Sequence, residues 1–223
     1  MAIKPLVCVS SLLLLACSGF AQSCYIGIRG GVNIASTDFL NRKGTYKDVS
    51  SLEAIGVAIP CVIILSKTFS IQAELAFAQK GNSIYKTWID ENGLPLNIDR
   101  TRFVLNYLEI PLLAKWSFGT KSLGFDLFTG PAISYGMGGY YAYGDRNTFT
   151  VQTQKFSFKD ANLRNPDLSI NFGIALHARN IFADLRYQFG ILDIAKDESI
   201  AKRIYNRVLS LNIGCLIPIA TLK

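Results

Sequence analysis

The stretch LSINFGIALHARNIFADLRYQFGI, residues 168–191, decides the fold. On both sides of Arg179 and Asn180, apolar side chains alternate with polar or small ones. A period of two is typical of a β-strand with one apolar face, and two such strands joined by two or three residues form a hairpin. The second strand carries Asp184 and Arg186 opposite its Leu and Ile side chains, so the two faces must meet different surroundings.

The same alternation recurs along the chain, which we interpret as one domain. It predicts six further strands, at 24–36, 54–65, 69–80, 103–118, 123–140 and around 209–217. With the hairpin the total is eight.

The predicted connections alternate strictly between long and short. Long polar segments occupy 37–50, 82–102, 141–166 and 195–204, while the turns at 66–68, 119–122 and 179–180 are short. An outer-membrane barrel has this pattern, with short periplasmic turns on one rim and long extracellular loops on the other. We therefore predict an all-β fold, an eight-stranded antiparallel transmembrane β-barrel, with an interior filled by side chains because eight strands enclose little space.

The first 21 residues have the features of a secretory signal. Lys4 is followed by an apolar run from Leu6 to Ala16 and by small residues around Phe20, which predicts cleavage after Ala21 and a barrel domain over 22–223. Two alternatives are a retained membrane anchor and a lipoprotein signal that would lipidate Cys17. All three interpretations export the chain.

Composition excludes several classes of protein. The net charge is +7, but no RNA-binding motif or basic helix accompanies it, so we expect no nucleic-acid partner. Outer-membrane lipid and lipopolysaccharide are the expected surroundings. Cys24, Cys61 and Cys215 remain after the signal, an odd number without metal-ligand spacing, so we expect no metal, cofactor or disulfide framework.

At NYLEIPLLAK, residues 106–115, the chain resembles the PorT-like family of outer-membrane β-barrels. IRGGVN at 28–33, FSIQAEL at 69–75 and Gly130-Pro131 support the resemblance. It implies an eight-stranded barrel in the outer membrane. One branch of that family is tied to a protein-secretion system, which implies a possible accessory role in secretion.

Charged and large polar side chains fall on the face opposite the apolar one, which predicts that they line the interior. They are Arg29, Glu74, Tyr107, Glu109, Lys115, Asp126, Asp184 and Arg186. One interpretation is a structural ion-pair network, because an unpaired buried charge is costly. The other is a binding or proton-relay site, for which Glu109 is the best candidate because Pro111 interrupts the β-ladder beside it.

Three function classes stay open. The first is a non-enzymatic structural or interaction barrel, with a protein or glycan partner for the Tyr-rich loop 141–166 or a protein partner in a secretion complex. The second is a lipid-modifying outer-membrane enzyme, which the position of the one histidine, His177, beside a predicted periplasmic turn disfavours. The third is a soluble lipocalin-like binder, which would need an apolar interior.

Overall fold

The structure, a computed structural model, describes residues 23–42, 49–89, 95–120, 122–145, 150–196 and 201–221. The proposed signal peptide therefore lies outside the described residues. Ten strands are present in the described ranges: β1 (Ser23–Arg42), β2 (Val49–Ser50), β3 (Leu52–Ile64), β4 (Phe69–Ile89), β5 (Pro95–Gly119), β6 (Gly124–Asp145), β7 (Thr150–Phe156), β8 (Pro166–Ala178), β9 (Ile181–Gly190) and β10 (Ala201–Thr221).

Eight of these strands close into a ring. The order around it is β1, β3, β4, β5, β6, β8, β9 and β10, with β10 paired again to β1 and every pairing antiparallel. The closing ladder runs from Ser23 opposite Thr221 to Arg42 opposite Ala201. Closure leaves no open edge in this ring, as a sheet in lipid requires, and it confirms the predicted fold class.

The ring has two unlike rims. The turn rim holds the connections from β3 to β4, from β5 to β6 and from β8 to β9, together with the paired residues Ser23 and Thr221 of the closing ladder. The loop rim is the opposite end, where β1 ends at Arg42 and β10 begins at Ala201. Short turns thus lie together at one end, as the sequence predicted.

The predicted long loops are wrong in extent, because strands continue well into them. β1 reaches Arg42, β4 and β5 form a hairpin through most of 82–102, and β6 continues to Asp145. β7 pairs with the extension of β6, and β2 pairs with β4. Beyond the bilayer no single face must be apolar, so alternation is lost while backbone pairing persists.

The outer surface is an apolar belt. Outward side chains on the ring strands include Ile28, Val57, Ile110, Ile133, Ile174 and Leu211, each more than half exposed. Trp116 lies 5.5 Å from Phe69, and Phe118 stacks on Phe125 at 4.9 Å, ring centre to ring centre, close to the turn rim. Apolar outside and charged inside is the reverse of a soluble ligand-binding barrel, so the lipocalin-like alternative is wrong.

At the loop rim a cluster of buried, mostly apolar side chains packs inside the barrel, and we call it the plug. It consists of Leu105, Tyr107, Phe158, Leu163, Ile194, Ala195 and Ile204, all buried. Two connections supply part of it: Leu163 donates its N–H to the Phe158 carbonyl at 2.8 Å, and Ile194 donates to the Ile204 carbonyl at 3.0 Å. Gly136 lies beneath the Phe158 ring, where an added Cβ would come within 2.2 Å of a ring carbon.

The described residues contain no helix with the length and apolarity of a membrane span.

Candidate functional site

The charged interior is the part of the molecule with the most chemistry. All eight side chains predicted to line it point into the barrel: Arg29, Glu74, Tyr107, Glu109, Lys115, Asp126, Asp184 and Arg186. They lie on five of the ring strands and form three layers, which we call the lower, middle and upper layers from the turn rim to the loop rim.

The middle layer is centred on Glu74. Arg29 donates from Nη2 to Glu74 Oε2 at 2.7 Å, and Arg186 donates from both terminal nitrogens to the two carboxylate oxygens at 3.1 and 2.9 Å. Gln72 also donates to Oε1. Charge-assisted hydrogen bonds between guanidinium and carboxylate groups are stronger than neutral ones, and here they connect β1, β4 and β9 across the interior.

Asp184 balances the second positive charge of this layer. Its carboxylate lies 3.7 Å from Arg186 Nη2 and accepts a hydrogen bond from Asn212 Nδ2 at 2.8 Å. Arg186 also lies over the Phe128 ring, 5.1 Å from its centre. The layer thus pairs two arginines with two carboxylates.

The upper layer contains two residues that the sequence analysis missed, Lys80 and Asp167. Lys80 Nζ lies 2.9 Å from Glu109 Oε2 and 3.2 Å from Asp167 Oδ2, and it is fully buried. The sequence pattern could have identified Lys80, since it lies on the same face of β4 as Glu74. Asp167 shares the parity of Ser169 on β8 but follows a proline, and the predicted strand began one residue later.

Polar side chains complete the upper layer. Glu109 Oε2 accepts hydrogen bonds from Ser134 Oγ and Gln188 Nε2, both at 2.8 Å. Asn206 Nδ2 donates to Asp167 Oδ2 at 2.9 Å and to the Tyr107 hydroxyl at 3.3 Å. Tyr107 therefore joins the plug to the ion pairs beneath it.

Pro111 interrupts the β4–β5 ladder beside Glu109, as predicted. Pairing stops between Ala73 opposite Leu112 and Ala76 opposite Glu109. Proline has no N–H to donate, which accounts for the gap.

The lower layer lies beside the turn rim. Lys115 Nζ lies 3.0 Å from Asp126 Oδ2 and donates to Gln72 Oε1 at 3.1 Å. His177 Nδ1 lies 3.4 Å from Asp126 Oδ1, and its Nε2 lies 3.2 Å from the Thr120 carbonyl oxygen. Both ring nitrogens of His177 thus lie near oxygen atoms of the lower layer and its turn.

Gln72 links the lower layer to the middle one, and a small cavity separates the middle layer from the upper one. The cavity has a volume of about 30 Å³, and Arg29, Glu109, Asn171 and Arg186 line it. Both polar atoms of the fully buried Asn171 side chain, together with Nε of each arginine, make no hydrogen bond to another described group.

The charges of the three layers nearly cancel. The carboxylates are Glu74, Glu109, Asp126, Asp167 and Asp184, which makes five, and the cations are Arg29, Lys80, Lys115 and Arg186, which makes four. Within the described residues no group of three or more His, Cys, Asp or Glu side chains could hold a metal ion. The charged groups of the three layers already form ion pairs with one another, so the arrangement favours a rigid interior over a reactive site.

Comparisons with known proteins agree with this architecture. The sequence matches the family described as "Outer membrane protein beta-barrel domain" over residues 20–196. No curated protein sequence matches it significantly.

Several solved structures are distantly similar. They include Ail of Yersinia pestis (10% identity, 87% of this chain and 99% of that chain, TM-score 0.43), NspA, a neisserial surface protein (13%, 86% and 96%, 0.41), and OprG of Pseudomonas aeruginosa (12%, 88% and 97%, 0.41). Similarity this distant says nothing about ligands or partners. The family match covers most of the chain, and the chain therefore belongs to the outer-membrane β-barrel protein family.

Proposed function

We propose that this protein is a non-enzymatic outer-membrane scaffold whose interior is sealed and whose loop rim contacts a partner. The observation that carries the proposal is the filled lumen. Glu74, Lys80, Glu109, Asp126 and Asp167 are each at most 5% exposed although they are charged, because each is paired with an opposite charge inside the barrel. A transport pathway needs polar groups that face water, and these face each other.

The position of His177 supports a role without catalysis. It is the one histidine of the chain, and it contacts Asp126 and the Thr120 carbonyl at the turn rim. A lipid-modifying enzyme that acts on the outer leaflet would need its general base at the other end of the barrel. The loop-rim part of β6, which carries Tyr140, Tyr141 and Tyr143, is better suited to binding, because tyrosine offers a large apolar ring and a hydroxyl.

The PorT-like resemblance adds a more specific version of the proposal, an accessory role in protein secretion. A secretion component would contact its complex from the periplasmic side, which is the turn rim if the short turns are periplasmic. A partner at the loop rim would lie outside the cell. The two versions therefore differ in which rim is occupied.

In-cell photo-crosslinking would distinguish them. A photoreactive residue replaces Val151 at the loop rim, Ser122 at the turn rim, or Ile133 in the lipid-facing belt as the control. We expect a crosslinked product from Val151 that Ile133 does not give. A product from Ser122 alone would favour the secretion role. No product at either rim, with altered lipid composition on deletion, would contradict the scaffold proposal and favour an enzyme.

A further inference from the structure

One face of the sheet that rises above the barrel carries a continuous set of aromatic and amide side chains. Thr101, Tyr143 and Gln152 lie opposite one another on β5, β6 and β7. Residues directly opposite in an antiparallel ladder share a face. The neighbouring row, Phe103, Tyr141 and Gln154, lies on that same face, and Phe156 follows in the next row. We call these seven residues the aromatic face.

The rings of the aromatic face contact one another. Ring centres lie 5.1 Å apart for Phe103 and Phe156, 5.2 Å for Phe103 and Tyr141, and 4.7 Å for Tyr141 and Phe156. Tyr141 and Tyr143 are 6.2 Å apart and 25° from parallel. Phe103 and Phe156 also pack against the plug, whereas Tyr143 is 44% exposed. The plug therefore fixes the position of a row of rings, and the last ring of that row, Tyr143, is accessible to solvent.

The chemistry of the face indicates its ligand. Beside Tyr143, the exposed amides of Gln152 and Gln154 and the hydroxyl of Thr101 offer neutral donors and acceptors. No residue of the aromatic face is an acid or a base. The exposed cations of these strands, Arg102 and Lys155, lie on the opposite face because their parity differs.

A sugar ring matches these groups. Its C–H bonds carry partial positive charge and attract the negative face of a tyrosine ring, and its hydroxyls both donate and accept hydrogen bonds. A phosphorylated or sulfated glycan would be drawn instead to the side of Arg102 and Lys155. We propose that the aromatic face binds a neutral oligosaccharide, with Tyr143 stacked on a sugar ring and Gln152 and Gln154 bonded to its hydroxyls. This deepens the proposed function, since it rests on the loop rim as the contact surface.

The test uses the full-length barrel in detergent, with maltohexaose and cellohexaose as neutral probes and a heparin hexasaccharide as the anionic probe. Binding is measured by saturation-transfer NMR and titration calorimetry. We expect a neutral hexasaccharide to bind, with Tyr143→Ala weakening it about tenfold, as loss of an aromatic contact does. Gln152→Ala with Gln154→Ala should weaken it similarly. Thr153→Ala, a change on the opposite face of the same strand, is the matched control and should leave binding unchanged.

Three results would overturn the glycan proposal: no neutral probe binds, binding survives Tyr143→Ala, or only heparin binds and Lys155→Ala abolishes it. A protein crosslinked at Val151 together with no neutral glycan binding would overturn the glycan and leave the scaffold proposal standing.

Discussion

Ion pairs inside the barrel and ion pairs at the loop rim have similar N···O distances, but the first are buried and the second are exposed to solvent. Glu74 lies 2.7 Å from Arg29 with its side chain fully buried. Glu53 lies 2.5 Å from Arg100, and Asp38 lies 2.9 Å from Arg207, with the two carboxylate side chains 69% and 53% exposed. Distance alone therefore does not indicate which pair matters for stability.

The difference lies in what replaces a lost partner. At the loop rim water solvates the remaining charge, and such pairs contribute roughly 0–1 kcal/mol. In the lumen no bulk water is at hand, so removing one partner leaves an uncompensated buried charge and costs about 3–5 kcal/mol. Breaking an interior ion pair is therefore expected to cost more stability than breaking a surface pair.

The largest effect is expected from Glu74→Leu. It removes the common partner of Arg29 and Arg186 and should lower the free energy of unfolding by about 5 kcal/mol. Urea unfolding in lipid vesicles measures the change. Replacing Arg29 with Met in the same chain leaves Arg186 paired with Asp184 and should restore part of the loss, and a double variant no more stable than Glu74→Leu would contradict the network as its cause.

A smaller effect is expected at the plug, which lies between the interior ion pairs and the exposed ion pairs of the loop rim. Phe158→Ala removes a buried ring and should cost about 3 kcal/mol locally, by lost apolar contact and the cavity left behind. Amide hydrogen exchange should then accelerate at Leu163 and Ile194, whose N–H groups bond within the plug. Val151→Ala, an exposed change on β7, is the control. Unchanged protection at both amides would show that the ring does not hold the plug.

The smallest effect is expected from Glu53→Ala at the loop rim. Since Arg100 can turn to water and also donates to Ser83 Oγ, the loss should be under about 1 kcal/mol and should vanish at high salt. Urea unfolding of this variant and of Glu74→Leu in the same assay compares an exposed ion pair with a buried one. A loss of several kcal/mol in the free energy of unfolding of Glu53→Ala would contradict the difference between the two.

The sequence predicted the ring well because lipid imposes a strict pattern. Every ring strand must present apolar groups outward, so the parity of residues such as Glu74, Asp126 and Arg186 could be read directly. Above the bilayer the constraint disappears. There β5 buries both Val104 and Leu105, and its pairing with β6 shifts register at Asn106 and Tyr107. Alternation could not reveal these extensions.

The sequence predicted which side chains line the interior better than it predicted which of them pair with one another. The partners of Glu74 lie on β1 and β9, far away in the chain, and only the order of strands around the ring brings them together. Phe158 and Ile194 lie in connections without periodicity. No sequence pattern marked them as the plug.

Single-channel recording in planar lipid bilayers tests the central claim most directly, that packed ion pairs and the apolar plug seal the barrel. The wild-type protein should insert without stepwise conductance in molar KCl, and Phe158→Ala should stay closed because the ion-pair layers remain beneath it. Steady ohmic channels from the wild-type protein would contradict a sealed interior and with it the scaffold function.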